Sequence, residues 1–526
     1  MSQARDCGTL ASHEGSLYSS RSCREGMKIH LVFGLITVVL LMVVISSRRQ
    51  EDFSFRKVAD RAELMAREGY LSAVPALPKK LRQLDEEQYK SIKWRDERTL
   101  WRREGLPFQV RFIHPGYTFD RKVDIEDLSE QRPLRYSPAF FDFGKSGLVA
   151  EELPDWVGYA GFRLLHPFNK PDQLDELMSF VGGSDFRAVA RDLVFGTIAR
   201  AIVIDPTENT GETPVFTRFW LKRPDTFSST FTVYALLESG SVTGAYQFDI
   251  EGGAETRIHV RATLYFRRVV QQVGYAPLIS MFWFGENTSN TFGDFRPEVH
   301  RADGLLMQRS NDEWVWHPLA WSTAQQVNVF TDTTFKGYGL FQRDRDFNHY
   351  QDLNSLFHKM PSVWVEPIKG FEDGTVCLVQ QPAKDDTVNN VAAFWSPKVA
   401  PSPLKPVEIE YVLRWMTDAG NLPPLGRCLS TRVDFQEEES RRQFFLDFGG
   451  GPLDRLKAGE VPTADITASP GATISDVKIE RNDFNRSWRV GFVVNNEDKT
   501  KPTEIQSRLT ANGAPLTETW SYTWTR

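Results

Sequence analysis

From Leu106 to about Phe394 the chain runs in short stretches where apolar and polar residues alternate, separated by turn residues. FQVRFIH at Phe108–His114 alternates and stops at the turn pair Pro115-Gly116. TFTVYALL at Thr230–Leu237, AYQFDI at Ala245–Ile250 and RIHVRATLYF at Arg257–Phe266 continue the pattern, with glycine-bearing breaks between. A period of two sends successive side chains to opposite faces of a strand, so these runs predict a meandering antiparallel sheet or two large stacked sheets. A block of about 300 residues is at the upper limit for one core, which favours a double-layered β-sandwich over a small barrel. Ahead of it, Val58, Ala62 and Met65 at helical spacing predict an amphipathic helix over Phe53–Glu68. Pro75, Pro78 and Lys79–Lys80 break that helix, and a short polar helix around Glu86–Ser91 follows.

Pro397–Pro406, PKVAPSPLKP, holds four prolines in ten residues and reads as a stiff linker. Beyond it VEIEYVLRWM, RQFFLDF, SDVKIE, SWRVGFVV and ETWSYTWT are separated by turns. About seven short strands in ~120 residues suit an immunoglobulin-like sandwich, although no cysteine pair bridges it. The expected layout is therefore a tail over 1–28, an apolar segment over 29–46, a large domain over 53–396, the linker over 397–406 and a C-terminal domain over 407–526.

The apolar segment Ile29–Ser46 carries no formal charge and is bounded by Lys28 and Arg48–Arg49. At 1.5 Å per residue it extends about 27 Å as a helix, enough for a bilayer core. It is either an uncleaved anchor, with Arg21, Arg24 and Lys28 on the cytoplasmic side, or a signal segment starting at Met27 and cut near Ser46 or Ser47. In both versions the body is exported.

Composition narrows the function classes. The 526 residues are 41% hydrophobic and 25% charged, as in a soluble globular protein of more than one core. A net charge of −6 and no basic run along the chain argue against nucleic acid as a partner. Cys7, Cys23, Cys377 and Cys428 offer neither a disulfide framework nor zinc spacing, and the last two are expected to be buried free thiols. No carboxylate or imidazole cluster has ligand spacing, and there is no phosphate loop or nucleophile elbow, so no metal or cofactor is expected.

Gly337–Trp364 is the densest chemistry-bearing stretch, with rings set around Arg343, Arg345 and Asp346. Rings among fixed charges suit a sugar polymer, whose C–H faces lie on aromatics and whose hydroxyls bond to charged groups. The competing reading is a polar-edged sheet whose rings are core, with the arginines paired to Asp344, Asp346 or Asp352. Arg187–Arg191 and Arg200 read as solvated charges.

LWRREGLPFQVRFIHPGYTFDRKVDI, RYSPAFFDFG, YAGFRLLHPFN, FRAVARDLVFGTIARAIVID, APLISMFWFG, FRPEVH, EWVWHPL, GYGLFQRDRDF, PSVWVEP, VAAFWSP and the terminal ETWSY occur in this order from about Phe53 to Arg526. Together they resemble the periplasmic glucan biosynthesis proteins G and D. The resemblance implies an all-β chain, a large galactose-mutarotase-like sandwich followed by the immunoglobulin-like one. It also implies a periplasmic role in making osmoregulated glucans, short β-1,2-linked glucose polymers. β-1,2-Glucan chains would be the ligand, the membrane glucan synthase a partner, and the inner membrane a tether if 29–46 is retained.

Family members include β-1,2-glucan hydrolases and transglycosylases. Such enzymes need a carboxylic acid for the departing oxygen and a carboxylate for water, ~6.5–9.5 Å apart when inverting. The resemblance places the acid at the first Asp of an Asn-Asp-Asn-Ile/Val-x-x-Tyr-Trp run, which here is Val388, Asn389, Asn390, Val391 and Phe394–Trp395. The base, directly after the Arg-Pro-Glu-x-His run, falls on Arg301, and a further acidic position falls on His358. An amide has no proton to give and a guanidinium accepts none. A shifted register would supply Asp385 or Asp386 as acid and Asp303 or Glu298 as base. The expected ligand-contacting residues are Arg343, Arg345, Asp346, Glu298, His300, His358, Trp364, Asn389 and Trp395. Binding without cleavage is thus the leading reading, with cleavage by displaced carboxylates (Asp386, Asp303) as the alternative.

Overall fold

Alternation along the strands is realised as two stacked sheets. A computed structural model describes residues 53–526 apart from 71–75, 207–210, 290–291, 418–421, 436–439, 458, 499–500 and 526. One sheet has ten strands, beginning at the edge with Gln109–Ile113 and passing through Gly161–Lys170, Gln173–Val181, Asp185–Ala188, Ile198–Arg200, Val273–Ser280 and Val391–Pro397. The other has fifteen, among them Thr230–Glu238, Val242–Glu251 and Thr256–Phe266, paired in sequence as antiparallel neighbours.

The registers explain the core. Phe112, Phe162, Phe180 and Phe186 lie opposite one another across four strands of the first sheet. These rings meet the second sheet edge to face: Phe162 with Phe219 at 5.2 Å, Phe180 with Phe248 at 5.1 Å and Phe186 with Phe248 at 5.2 Å. Such contacts add to the apolar area withdrawn from water, the main stabilising effect here.

Helix Phe55–Glu68 buries Val58, Ala62 and Ala66. The innermost third residue is Ala66 rather than Met65, which is partly exposed. Thr243 Oγ1 donates to the Ala62 carbonyl at 2.7 Å and ties the helix to the second sheet. Helix Glu86–Ser91 forms as expected, closed by a capping box between Asp85 and Gln88.

The proline-rich segment does not end the large sheet. Pro406–Met416, expected in the C-terminal domain, is an interior strand between Ser362–Lys369 and Thr256–Phe266. Pro406 is its first residue, where a strand tolerates the missing donor. Farther on, Arg427–Asp434, Arg441–Gly449, Thr473–Asn482 and Ser487–Asn495 form a four-stranded sheet. Its Phe444 and Phe492 pack on Trp520 of strand Thr519–Trp524. That last strand pairs in parallel with Trp314–Pro318 and so belongs to the fifteen-stranded sheet. Residues 55–526 form one compact unit. Among the described residues no helix is long and apolar enough to cross a membrane, and Ile29–Ser46 lies outside them.

Candidate functional site

Two positions far apart in the chain meet at Arg301 and Asn389. Arg301 follows the short strand Val299–His300, and its backbone N–H donates to Met281 O at 2.8 Å. Asn389 ends the loop before Val391–Pro397. The next residue, buried Asn390, anchors that loop: its Oδ1 accepts from Phe282 N at 2.9 Å, and its Nδ2 donates to Phe282 O at 2.9 Å and Gln381 O at 2.8 Å. One segment, 281–282, thus positions both sides. Arg301 Nη1 then donates to Asn389 Oδ1 at 3.1 Å. Burial works against the Arg301 charge, the carboxylate of Asp386 supports it and Arg187 opposes it.

Asp386 itself is engaged by Arg296. That guanidinium grips Asp294 at 2.9 and 2.7 Å, and its Nη1 reaches Asp352 and Asp386, each at 2.8 Å. Three loops are pinned by one cation, with hydrogen bonding to Asp294 the strongest support of its charge. Between Asp294 and Arg296, Phe295 stands 79% exposed. Neither Arg296 nor Phe295 stands out in the sequence, although FRPEVH contains both; an exposed ring is invisible until its surroundings are known.

His300, Glu298 and Asp303 form a triad in which the first two are buried and Asp303 is partly exposed. His300 Nε2 lies 2.9 Å from Glu298 Oε2, and its Nδ1 lies 3.2 Å from Gln342 Oε1 and 3.3 Å from Asp303 Oδ1. Asp303 also accepts the backbone N–H groups of Arg343 and of Asp344, the latter at 2.9 Å. Burial opposes the His300 charge, but Asp303 and Glu298 outweigh it and lift the imidazole to about 9. Burial raises the Asp303 carboxyl, with His300 opposing. Asp303, proposed as a displaced base, is therefore committed to holding the 343–344 backbone.

A pH prediction follows from the imidazole. A histidine whose folded pKa exceeds its unfolded value of 6.5 contributes stability that is complete below 6.5 and lost as pH rises through about 9. Between those limits stability should fall by up to about 1.4 kcal/mol per pH unit from this group. Glu286, pushed by burial to about 8 against the pull of Arg432, slopes the same way between 4.5 and about 8. Urea unfolding of parent and His300→Gln at pH 6 and pH 9 isolates the histidine. The variant should lose less stability between the two pH values than the parent, and equal losses would refute the assignment.

Gly337–Trp364 resolves against ligand contact. Tyr338, Phe341, Tyr350, Phe357 and Trp364 are buried. Trp364 stacks on Trp314 at 5.7 Å, and Trp395 stacks on Tyr275 at 5.6 Å. Both indoles, expected to flank a cleft, are 2% and 1% exposed and are core rings instead. A methyl group added at Gly337 would sit 2.1 Å from the Trp364 ring, and one at Gly374 would sit 2.2 Å from Trp395. Those glycines make room for the indoles.

The charges of the segment are likewise occupied. Arg343 pairs with Glu518 at 2.6 and 2.9 Å. Arg345 donates to the carbonyls of His358, at 3.2 Å, and Met360. Asp346 caps the short helix Phe347–Tyr350 through Asn348 N at 2.9 Å. His358 lies edge-on to Phe347 at 5.4 Å, and burial lowers its pKa. Cys377 and Cys428 are buried free thiols. Arg187, read as a solvated charge, has its guanidinium 4.4 Å from the Phe195 ring.

A small chamber of about 50 Å³ lies beside the triad, lined by Glu286, Glu298, Asp303, Asp344, Arg343 and Thr431 among others. Near it, donor atoms of Glu298, Asp344 and His349 lie within 4.8 Å of one another, an oxygen–nitrogen set compatible with a divalent cation. No such spacing is visible in the sequence.

The family model and the similar proteins point to one family. The family described as periplasmic glucan biosynthesis protein, MdoG, matches residues 53–524. Glucans biosynthesis protein G of Ralstonia nicotianae is 37% identical over 494 residues, covering 92% of this chain and 98% of that protein. Probable glucans biosynthesis protein D of Shewanella oneidensis is 37% identical over 489 residues, covering 91% and 90%. Glucans biosynthesis protein G of Bradyrhizobium diazoefficiens is 37% identical over 481 residues, covering 90% and 93%.

Proposed function

The chain belongs to the MdoG family of periplasmic glucan biosynthesis proteins, and on that premise we propose that it binds β-1,2-glucan chains during their synthesis without cleaving them. The observation that carries this reading is the contact between Arg301 and Asn389, at 3.1 Å. Those are the positions at which the resemblance expects a base and an acid. Between them there is an amide and a guanidinium, neither able to exchange a proton at neutral pH. The substitute on the Asn389 loop, Asp386, is tied to Arg296 at 2.8 Å.

Binding chemistry is nevertheless present. Phe295 offers an exposed ring for the C–H face of a glucose unit, and the exposed Asn389 amide and partly exposed Asp386 offer partners for hydroxyls. Because Arg296 pins the loops carrying Phe295 and Asp386, little ordering is needed on binding. The apolar segment Ile29–Ser46 supports a place at the inner membrane, beside the synthase whose chains the protein would receive.

The purified chain is expected to bind linear β-1,2-glucan in isothermal titration calorimetry. Mass spectrometry should show an unchanged distribution of chain lengths after prolonged incubation. Shortened or rearranged chains would overturn the non-cleaving reading, and absence of binding would overturn the whole. Cleavage by displaced carboxylates has one observation in its favour: Glu286, held protonated by burial up to about 8, sits in one chamber with Asp303 and Glu298. If cleavage appears, its loss in Glu286→Gln would identify that acid.

A further inference from the structure

Two stretches that carry the family resemblance, VRFIH and FFDFG, lie far from Arg301 and Asn389. Strand Gln109–Ile113 is the edge of the ten-stranded sheet, six strand steps from Val391–Pro397, roughly 29 Å at ~4.8 Å per step. Against that edge is a chamber of about 400 Å³, large enough for a sugar-sized molecule, whose lining includes Trp94, Lys93, Arg111, Phe112 and Arg163.

Its chemistry is unbalanced in one direction. Arg111 and Arg163 stand directly opposite each other across an antiparallel pair. Their neighbours Phe112 and Phe162 take the core face, so both arginines project from the outer face. Like charges placed this way repel. Each has one carboxylate partner, Asp96 at 3.0 Å and Glu176 at 3.1 Å, and Asp96 is 61% exposed, which makes that pair weak. Lys93 adds positive charge to the lining, where Asp96 is the one acid, while Lys90 is paired with Glu86 at 2.6 Å.

Trp94 is held edge-on by Phe112 at 5.2 Å, Phe140 at 5.8 Å and Phe141 at 5.1 Å, so its indole is a fixed surface.

We propose that this chamber binds a saccharide bearing an oxyanion, a carboxylate or a phosphate ester, with the oxyanion between Arg111 and Arg163 and the sugar ring against Trp94. The site is independent of the Arg301–Asn389 contact.

The test is calorimetric titration of the full chain with glucuronate and with glucose 6-phosphate, using glucose and inorganic phosphate as controls. At least one charged sugar should bind about tenfold tighter than both controls, and added salt should weaken it. Arg111→Gln and Arg163→Gln should each lose about tenfold, the effect of removing one charge-assisted hydrogen bond. Trp94→Ala, which removes the ring surface, should weaken binding several-fold. Thermal unfolding confirms that each variant is folded, and two arginine variants guard against one that is not. Titration with β-1,2-glucan should be unchanged in all three, which separates this site from the one proposed above. Inorganic phosphate binding as tightly as the charged sugars would reduce the chamber to an ion site and overturn the proposal. So would failure of both charged sugars to bind, or full affinity in a folded Arg111→Gln protein.

Discussion

Arg343→Ala is expected to destabilise the protein by about 3–5 kcal/mol, the range for removing one partner of a buried ion pair. Arg343 is 5% exposed and Glu518 is fully buried. The guanidinium meets the carboxylate through two bonds, donates to Cys428 O at 3.1 Å and lies 3.6 Å from the Trp316 ring. Glu518 would keep its contact with Cys428 N, at 2.8 Å, but would lose its counter-charge in a space water does not reach. Urea unfolding followed by circular dichroism measures the loss. Arg343→Met combined with Glu518→Leu should recover much of it, because the penalty lies in the stranded charge rather than the absent attraction. A loss below about 1 kcal/mol in the single variant would mean the pair is solvated.

Arg301→Asp with Asn389→Asp is expected to create glucan cleavage that, on the proposed reading, the parent does not perform. Each single variant restores one half of an acid–base pair, and a general acid or base contributes about 10²–10⁴ in rate. Arg301 reaches Asn389 because its side chain is long. An aspartate stops short, opening a gap for the water that an inverting mechanism needs between its carboxyl groups. Activity should therefore rise steeply from either single variant to the double, read as new reducing ends and shorter chains. A double variant that binds β-1,2-glucan like the parent and leaves it intact would show that these positions do not face the scissile bond.

Much of the fold is legible because alternation is a local property: each run from Phe108 to Phe266 shows which of its own residues face inward. The capping box before Glu86–Ser91 is local too. What could not be read depends on neighbours across strands. Rings in Gly337–Trp364 looked available, but Trp364 is seated over Gly337 and Trp395 over Gly374, and composition does not show which ring has a glycine beneath it. Arg343 looked like a sugar ligand because its partner, Glu518, is 175 residues away. No basic run appears along the chain, yet Arg111 faces Arg163, which faces Ser179, which faces Arg187. That row exists only once the strands are in register. The resemblance puts Arg301 and Asn389 at the base and acid positions of one site, but their direct contact at 3.1 Å depends on how two distant loops are anchored and could not be read from either motif.

The last strand, Thr519–Trp524, is stitched between Trp314–Pro318 and Thr503–Ala511, and Glu518 beside it supplies the counter-ion for Arg343. Closure of the larger sheet therefore waits on this one strand: without it Trp314–Pro318 and Thr503–Ala511 lack their shared neighbour and Arg343 lacks its counter-charge. A chain lacking Thr519–Trp524 should accordingly be a substrate for proteases rather than a slightly shortened native molecule.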